Sequence, residues 1–538
     1  MHGQIPSHEG GLLHLYTFAD GVAAHNETRA AYCYGWWTLP TLKLSFFRPL
    51  SSLAHYFDEF VLGPVAWRQH VQAIFWYLAC VLGVGLLYRR LLSARTAALA
   101  VLLFAIDDAH WTPVAWLANR NSLIAVVPAL WGWLAWLRGT RDGWKYGRLL
   151  GILGLALGLL GGETALGLVL LWAAEHVAAK RRWKELWPIG LLLLVYVVTY
   201  KVLGYGAAGS GAYVDPAKDP LRFLMFATTR VPTLAGGLLA FSPTEIAAAT
   251  LPLELSLAAW GLLVLLAVAW LLRRARPDLA QADRKALPWL AIGGLVALLP
   301  PSATWPSMRT TLVVSLVPAA LIAMLLGQLG DRVRAGVALR RERLARGTLW
   351  FIHAGLAPLI FIGASAGTAA LAPRWQKYIE APIFLEAGGK RVVLVSSPDP
   401  LIGFYTPSTL SAQGLPSPRS WSVLSAAIGD VAVTRKTAQR LELQTLGPPL
   451  LASAPEQLVH DPKHPFHVGD RVHGAGFDVE ILEATDAGPT RVAFQFDKPL
   501  EDAEYLPVWF HDGQLRRWPL PALGQRVVVK REAGVLGV

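Results

Sequence analysis

The sequence predicts a mostly α protein: a polytopic transmembrane helical bundle followed by a β-rich C-terminal domain. Three observations predict it. Hydrophobic residues fill 54% of the 538 positions and charged residues only 16%, with a mean hydropathy of +0.40, whereas soluble domains carry about 25% charged residues. The long apolar runs are confined to residues 73–371. From 372 onward charges return (Arg374, Lys377, Glu380, Lys390, Arg391), and no run there is long enough to cross a bilayer.

These shifts divide the chain into an N-terminal loop region (1–72), a transmembrane domain of about ten helices (73–371) and a separate water-exposed domain (372–538). The apolar runs place spans at 73–91, 94–106, 114–137, 149–160, 164–178, 187–204, 253–272, 288–301, 310–327 and 348–371. Several fall short of the ~20 residues of a straight span, which predicts broken or extended helices. The basic loops orient them. Arg89, Arg90 and Arg95 form one group, and Arg138, Arg141, Lys145 and Arg148 the next. Lys180 to Lys184, Arg273 to Lys285 and Arg332 to Arg346 hold the others. All fall on one side if 149–179 is a hairpin of two short helices turning at Gly161-Gly162-Glu163, and that side is cytoplasmic by the positive-inside rule. Residues 1–72, Asp107, Asp108, His110, Glu163, the long loop 205–252, Arg309 and the C-terminal domain are then extracytoplasmic. The net charge of +12 sits in the cytoplasmic loops, while the C-terminal domain is nearly neutral; this excludes a nucleic-acid partner. Cys33 and Cys80 are the only cysteines, too few for a disulfide framework or a cysteine metal site.

Polar residues that interrupt apolar sequence are the candidate functional groups. In FAIDDAHWTPVAWLANRNSLIA, Asp107, Asp108 and His110 stand at a membrane edge, and Arg120 lies about two turns into the next span. Carboxylates at an edge are cheaply solvated, but an arginine inside a span must pair or line a cavity. Glu163, in GLLGGETALG, is either a solvated turn residue or a membrane-level carboxylate that needs a partner. Arg309, in PPSATWPSMRTTLVV, either snorkels to the interface or grips a lipid phosphate with its planar fork. Arg48 and His70 lie in the approach to the first span.

Taken together, FFRPLSSLAHYFD, WRQHVQAIFWYL, RTAALAVLLFAIDDAHWTPVAWLANRNSLIA and LLGGETALGLVLL resemble the GT-C superfamily of polytopic glycosyltransferases, and protein O-mannosyltransferase relatives in particular. Arg48-Pro49-Leu50 matches the family's Arg-Pro-Leu, and His70 its histidine before the next helix. His110, Val114, Trp116, Arg120 and Leu123 match a His-Pro-x-His-x-Glu-x-Val-x-Trp motif followed by Arg-x-x-Leu. Asp107 and Asp108 stand where that motif has His-Pro, and Thr112 where it has Glu. Glu163 matches the glutamate of a Lys-Glu pair whose lysine is Gly162 here. The likeness covers residues 40–180 well, 205–330 loosely, and the tail not at all.

The resemblance implies a glycosyltransferase of bacterial inner-membrane type, acting on the extracytoplasmic side. It would transfer a sugar from a polyprenyl-phosphate donor to a protein, lipid or glycan acceptor. Such a reaction needs cations for the phosphate, for which Arg309 and Arg120 are the candidates, and a base for the acceptor hydroxyl. Asp107 and Asp108 are the first candidates for that base and Asp20 the next, with Glu27 in the same early loop. His110, Glu163, Arg48 and His70 complete the implied substrate-binding set. No motif requires a metal or other cofactor, and a divalent cation is left open. The competing readings are a transporter or flippase for lipid-linked saccharides, and a non-catalytic scaffold. The family's first helix and its acidic pair would precede residue 1. Residues 1–30 hold no signal peptide, so an upstream hydrophobic helix is expected.

In the C-terminal domain, 390–397, 490–496, 506–511 and 526–531 read as strands of a mostly antiparallel fold. FDVEILEATDAGPTRVAFQFD reads as a hairpin with a Gly-Pro turn. His460, His464, His467 and His473 have the spacing of solvated loop histidines rather than of a metal site.

Overall fold

The computed structural model describes residues 11–21, 34–63, 65–474 and 476–537; Glu27 and Cys33 lie outside them. Among the described residues, eight helices are long and apolar enough to cross a membrane, or nine if the bent pair Ala94–Ala105 and Asp108–Ala115 is one span, against about ten expected. The helices that matter here are α1 (Pro49–Phe57), α2 (Ala66–Leu91), α3 (Ala94–Ala105), α4 (Asn121–Arg141), α5 (Gly147–Gly161) and α6 (Ala165–Ala178). They continue with α7 (Trp187–Val202), α8 (Pro220–Ala240), α9 (Leu251–Ala275), α10 (Gln281–Ala297), α11 (Leu316–Arg334), α12 (Arg340–Trp350) and α13 (Ala357–Ile379). The span at α11 is 78% buried and forms the centre, whereas the span at α7 is 11% buried and turns an almost wholly apolar surface outward. That surface is what a lipid solvent requires.

The expected hairpin of short helices is α5 and α6, turning at Gly162-Glu163-Thr164. It is held by absent side chains. A Cβ on Gly154 would stand 2.6 Å from the Pro128 carbonyl oxygen, and one on Gly158 2.7 Å from that of Ala125. Close backbone approach gives dispersion contact where lipid supplies no hydrophobic drive. Trp133, Trp136 and Trp172 then fill the space between α4 and α6, with Trp136 and Trp172 rings 5.5 Å apart.

The loop expected over 205–252 is corrected: the segment contains α8, a 21-residue helix. Its sequence PLRFLMFATTRVPTLAGGLLA carries two arginines and an internal proline, which dilute its hydropathy. α8 and α9 run side by side in the same direction. Thr229 meets Glu254 at 2.5 Å, and a Cβ on Gly236 would stand 2.7 Å from Gly261 Cα. Arg230 is buried because its Nη1 donates to the Ser302 carbonyl (3.1 Å) and its guanidinium covers Phe226.

The polar contacts divide between two ends of the bundle. At the arginine end, Arg90 pairs with Asp142, Arg141 and Arg181 with Glu175, Arg95 with Asp331, and Arg332 with Glu342. At the opposite, domain end, β2 (Lys43–Ser45) pairs with β1 (Thr17–Asp20) and with β3 (Gly206–Ala208). The C-terminal domain docks there. Trp36 Nε1 donates to the Leu424 carbonyl (3.0 Å), the Gly211 amide to Gln457 (2.8 Å), and Arg222 holds Asp461 through two bonds of 2.6 and 2.9 Å. Residues 34–45 are thus part of the domain's own core, through Trp36, Trp37, Leu42 and Leu44. α13 ends in that core as well: Tyr378 is buried and its hydroxyl meets Thr406 at 3.0 Å.

The domain has two sheets. The first orders its strands Arg526–Val529, Val431–Thr437, Arg440–Thr445, Gly488–Phe496, Phe477–Thr485 and Arg471–His473, all antiparallel. The second is Gln514–Arg517, Tyr505–His511, Arg391–Leu394 and Ser420–Val423; its last two pairings are parallel, so only part of the domain is antiparallel as expected. The 477–496 hairpin turns at Asp486-Ala487, and Gly488-Pro489 begins its second strand. His460 is buried between the Trp37 and His464 carbonyls, while His467 and His473 each face an aspartate; the four histidines do not share one site.

Candidate active site

Three polar groups gather at the domain end around the entry to α4. The first is the break after α3. Asp107 caps the turn Asp108–His110, its Oδ1 accepting from the Ala109 amide at 2.9 Å. This aspartate is buried, whereas Asp108 is half-buried. His110 is fully buried, with Nδ1 3.1 Å from the Tyr77 hydroxyl and Nε2 2.8 Å from Ser315 Oγ. Both ring nitrogens are therefore engaged within the protein, tying the turn to α2 and to the start of α11.

The Asp108–His110 turn packs against a second turn, Met308–Thr310, which carries Arg309. The Arg309 guanidinium lies 6.0 Å from the Trp116 ring centroid, and the Asn119 amide donates to the Arg309 carbonyl at 3.3 Å. Glu245, on the short turn after α8, fixes this loop. Its Oε1 accepts from the Met308 amide (3.0 Å) and Ser307 Oγ (3.3 Å), and its Oε2 from Thr244 Oγ1 (3.1 Å). The Glu245 carboxylate also acts electrostatically on Asp108, as Asp108 does on Asp107. Three carboxylates and one guanidinium thus share the rim of the broken span.

The second group surrounds Glu163. Arg48 Nε donates to Glu163 Oε2 at 2.8 Å, and the Tyr200 hydroxyl donates to Oε1 at 3.1 Å. The Arg48 guanidinium also lies 5.1 Å from the Tyr16 ring and 4.6 Å from that of Phe46. Burial alone would lower the Arg48 pKa, but Glu163 outweighs it and raises the value. Gly162 opens space beside Arg48, whose Cδ would lie 3.5 Å from a Cβ there.

The third group is internal. Arg120 is fully buried, with Nη2 on Asp58 Oδ2, Nη1 donating to the Gln69 carbonyl (3.0 Å), and His55 Nδ1 at 3.5 Å. Burial pushes the Asp58 pKa up, but His55 and Arg120 hold it below the usual carboxylate range. His55 Nε2 continues to the Tyr16 hydroxyl at 3.0 Å. Asp20 is exposed and pairs with Lys43 at 2.9 Å, and His70 is half-buried in the first turns of α2.

Of the residues singled out from sequence, Asp107, Asp108, His110 and Arg309 come together, and Arg48 joins Glu163. Among the described residues, Asp20 and His70 bond to neither group. Sequence reasoning missed Glu245, Asp58, His55 and Tyr200. Asp58 and His55 had a signal, a carboxylate three residues from a histidine in LAHYFD. Glu245, alone in FSPTEIAAAT, had none. No protein-family model, curated protein or solved structure matches the chain.

Proposed function

We propose that this protein is an integral-membrane glycosyltransferase of GT-C type that transfers a sugar from a polyprenyl-phosphate donor to an acceptor at the domain end of the bundle. The observation that carries the reading is the meeting of the Asp107-Asp108 turn with the Arg309 turn at the edge of a broken span. Sugar transfer from a phosphate ester needs a base for the acceptor oxygen and a cation for the departing phosphate. Asp108, the more exposed of the pair, takes the acceptor proton. The acceptor oxygen bonds to the anomeric carbon as the bond from that carbon to the phosphate oxygen breaks. Polyprenyl phosphate leaves with the electron pair, its charge held by Arg309. Asp107 shapes the turn and His110 braces it from behind, while Arg120 is committed to Asp58 and the Gln69 carbonyl. Arg48 and Glu163 form the neighbouring wall, with the domain end extracytoplasmic because the arginine end carries the positive-inside charge.

A saccharide-lipid transporter is the second reading, favoured by the 49° bend between Ala94–Ala105 and Asp108–Ala115, since discontinuous helices recur at transporter sites. One experiment separates them. The purified chain is incubated in detergent with polyprenyl-phosphate sugars and acceptor peptides or glycans, and release of polyprenyl phosphate is followed. Release that depends on acceptor supports transfer. Movement of the intact donor across a vesicle bilayer without release supports transport and sinks the enzyme.

A further inference from the structure

At the arginine end a cavity of about 260 Å³ opens between α9, α11 and α12. Trp270, Arg274, Gln328, Arg332, Arg341 and Glu342 supply its polar and aromatic walls. Two of the three arginines are free to act. Arg332 is engaged by Glu342 at 3.1 Å and lies 4.0 Å from Asp278. Glu342 Oε2 also accepts the Leu339 amide at 2.9 Å, and Asp278 accepts from Gln328 at 3.2 Å, so both nearby carboxylates are already committed. Arg274 and Arg341 have no carboxylate within 4.0 Å among the described residues. Instead both guanidinia converge on one ring, 5.1 and 5.8 Å from the Trp270 centroid. Neither is in direct contact with a carboxylate, and Glu342, which acts on Arg274 from the cavity wall, is already bound to Arg332; the three arginines form an electropositive site with planar donors, the geometry that takes phosphate oxygens in pairs.

A second observation indicates what carries the phosphate. Above the cavity α9 exposes Leu255, Leu262, Leu263 and Leu266, a stripe that ends at Trp270 and gives way to Arg273 and Arg274. Tryptophan at the end of an apolar stripe marks headgroup depth, and basic pockets between spans at that depth suit anionic headgroups. We propose that this cavity binds the phosphate of an anionic phospholipid, with the acyl chains lying along the leucines of α9. The site is separate from the sugar-transfer reading and does not depend on it.

The test uses the full chain in neutral detergent and follows its unfolding midpoint during titration. The probes are dioleoyl phosphatidylglycerol, dioleoyl phosphatidylcholine and soluble glycerol 3-phosphate. A ligand that binds only the folded state raises the midpoint by an amount that grows as the logarithm of one plus the ratio of free ligand concentration to Kd. Phosphatidylglycerol is expected to stabilise the wild type at concentrations where phosphatidylcholine does not. Arg274→Gln with Arg341→Gln is expected to weaken that response at least tenfold, and Arg148→Gln with Arg343→Gln, an equal loss of charge at the same end, to leave it within twofold. Arg274→Lys with Arg341→Lys keeps the charge, removes the fork, and is expected to fall between; it also serves if the glutamine pair fails to fold. Equal response to both lipids, or equal loss in both glutamine pairs, overturns the site. A full response to glycerol 3-phosphate keeps the phosphate site but overturns the lipid as its source.

Discussion

The two ends of the bundle solve the same electrostatic problem in opposite ways. The arginine end holds many of its charges in pairs that stay wet, with Arg90 and Asp142 29% and 46% exposed and Arg95 and Asp331 51% and 60%; the buried Glu175, held by Arg141 and Arg181, is the exception. The domain end has exposed pairs too, but it buries its central one, with Arg120 and Asp58 at 0% and 1%. Exposed pairs gain little, because water screens them and long side chains lose freedom. A buried pair is different. Its members have given up hydration, so each depends on the other. The arginine end therefore gains little from any single wet pair, while the buried pair at the domain end sets geometry.

The sharpest way to break this contrast is to unpair the buried couple. Arg120→Met is expected to lower stability by about 3–5 kcal/mol, because it strands the Asp58 carboxylate. Adding Asp58→Leu should recover much of the loss, since an apolar pair leaves no stranded charge. Thermal unfolding in detergent, read for both variants, decides it; an equal loss in the double variant would show that packing rather than charge holds the site.

Next in size, Asp107→Asn and Asp108→Asn should each cut turnover at least about 10²-fold if the turn supplies the base. Fold and expression are expected to persist, because asparagine still caps a turn. Polyprenyl-phosphate release is the measurement, and near-normal rates in both variants and in their combination would move the base to Asp20 or Glu245.

A pH effect comes third. Glu456 sits at the docking face of the C-terminal domain, fully buried, and burial pushes its pKa up to about 7 despite hydrogen bonds from Ser453. Its Oε1 has no partner, which suits a protonated carboxyl. A folded value above the unfolded one means the folded state holds the proton more tightly. Stability contributed by that proton is fully present below pH ~4.5 and is lost as pH rises through ~7. Glu456→Gln should flatten the loss between those values in a series of unfolding midpoints. An unchanged slope would assign the pH dependence elsewhere.

Smallest is Asp142→Asn at the arginine end, which is expected to leave the unfolding midpoint within experimental scatter. A marked drop there would erase the distinction between the two ends.

The helices were legible where hydropathy was undiluted. α2, α9 and α11 follow from their apolar runs, and the short α5–α6 hairpin from the parity of the basic loops. α8 was not, because Arg222 and Arg230 count against a span in sequence. In the structure the first is answered by Asp461 from the C-terminal domain, and the second by the Ser302 carbonyl and the Phe226 ring. Phe226 is local, but Asp461 and Ser302 lie 239 and 72 residues from the arginines they meet, so no local pattern announces them. The candidate site divides likewise. Asp107, Asp108 and His110 stood out as polar breaks between apolar runs, whereas Glu245 matters only because chain folding sets it beside Met308 and Asp108. Periodicity registers an element's own face; it is silent about what another loop brings to it.

The last helix carries a consequence of its own. Residues Arg340–Ile379 form one rod of 40 residues, roughly 60 Å at about 1.5 Å per residue. A bilayer with its headgroups takes up about 40–45 Å, so some three turns stand clear before Tyr378 enters the domain core. A rod seated at both ends fixes angle as well as height. Inserting one residue midway would swing everything beyond it by about 100°, while seven would bring it back to within about 20°. The bidentate clasp of Arg222 on Asp461 and the seat of Trp36 under Leu424 demand one angle. The chain therefore keeps time as well as distance: the domain meets its platform only when the helix arrives in phase.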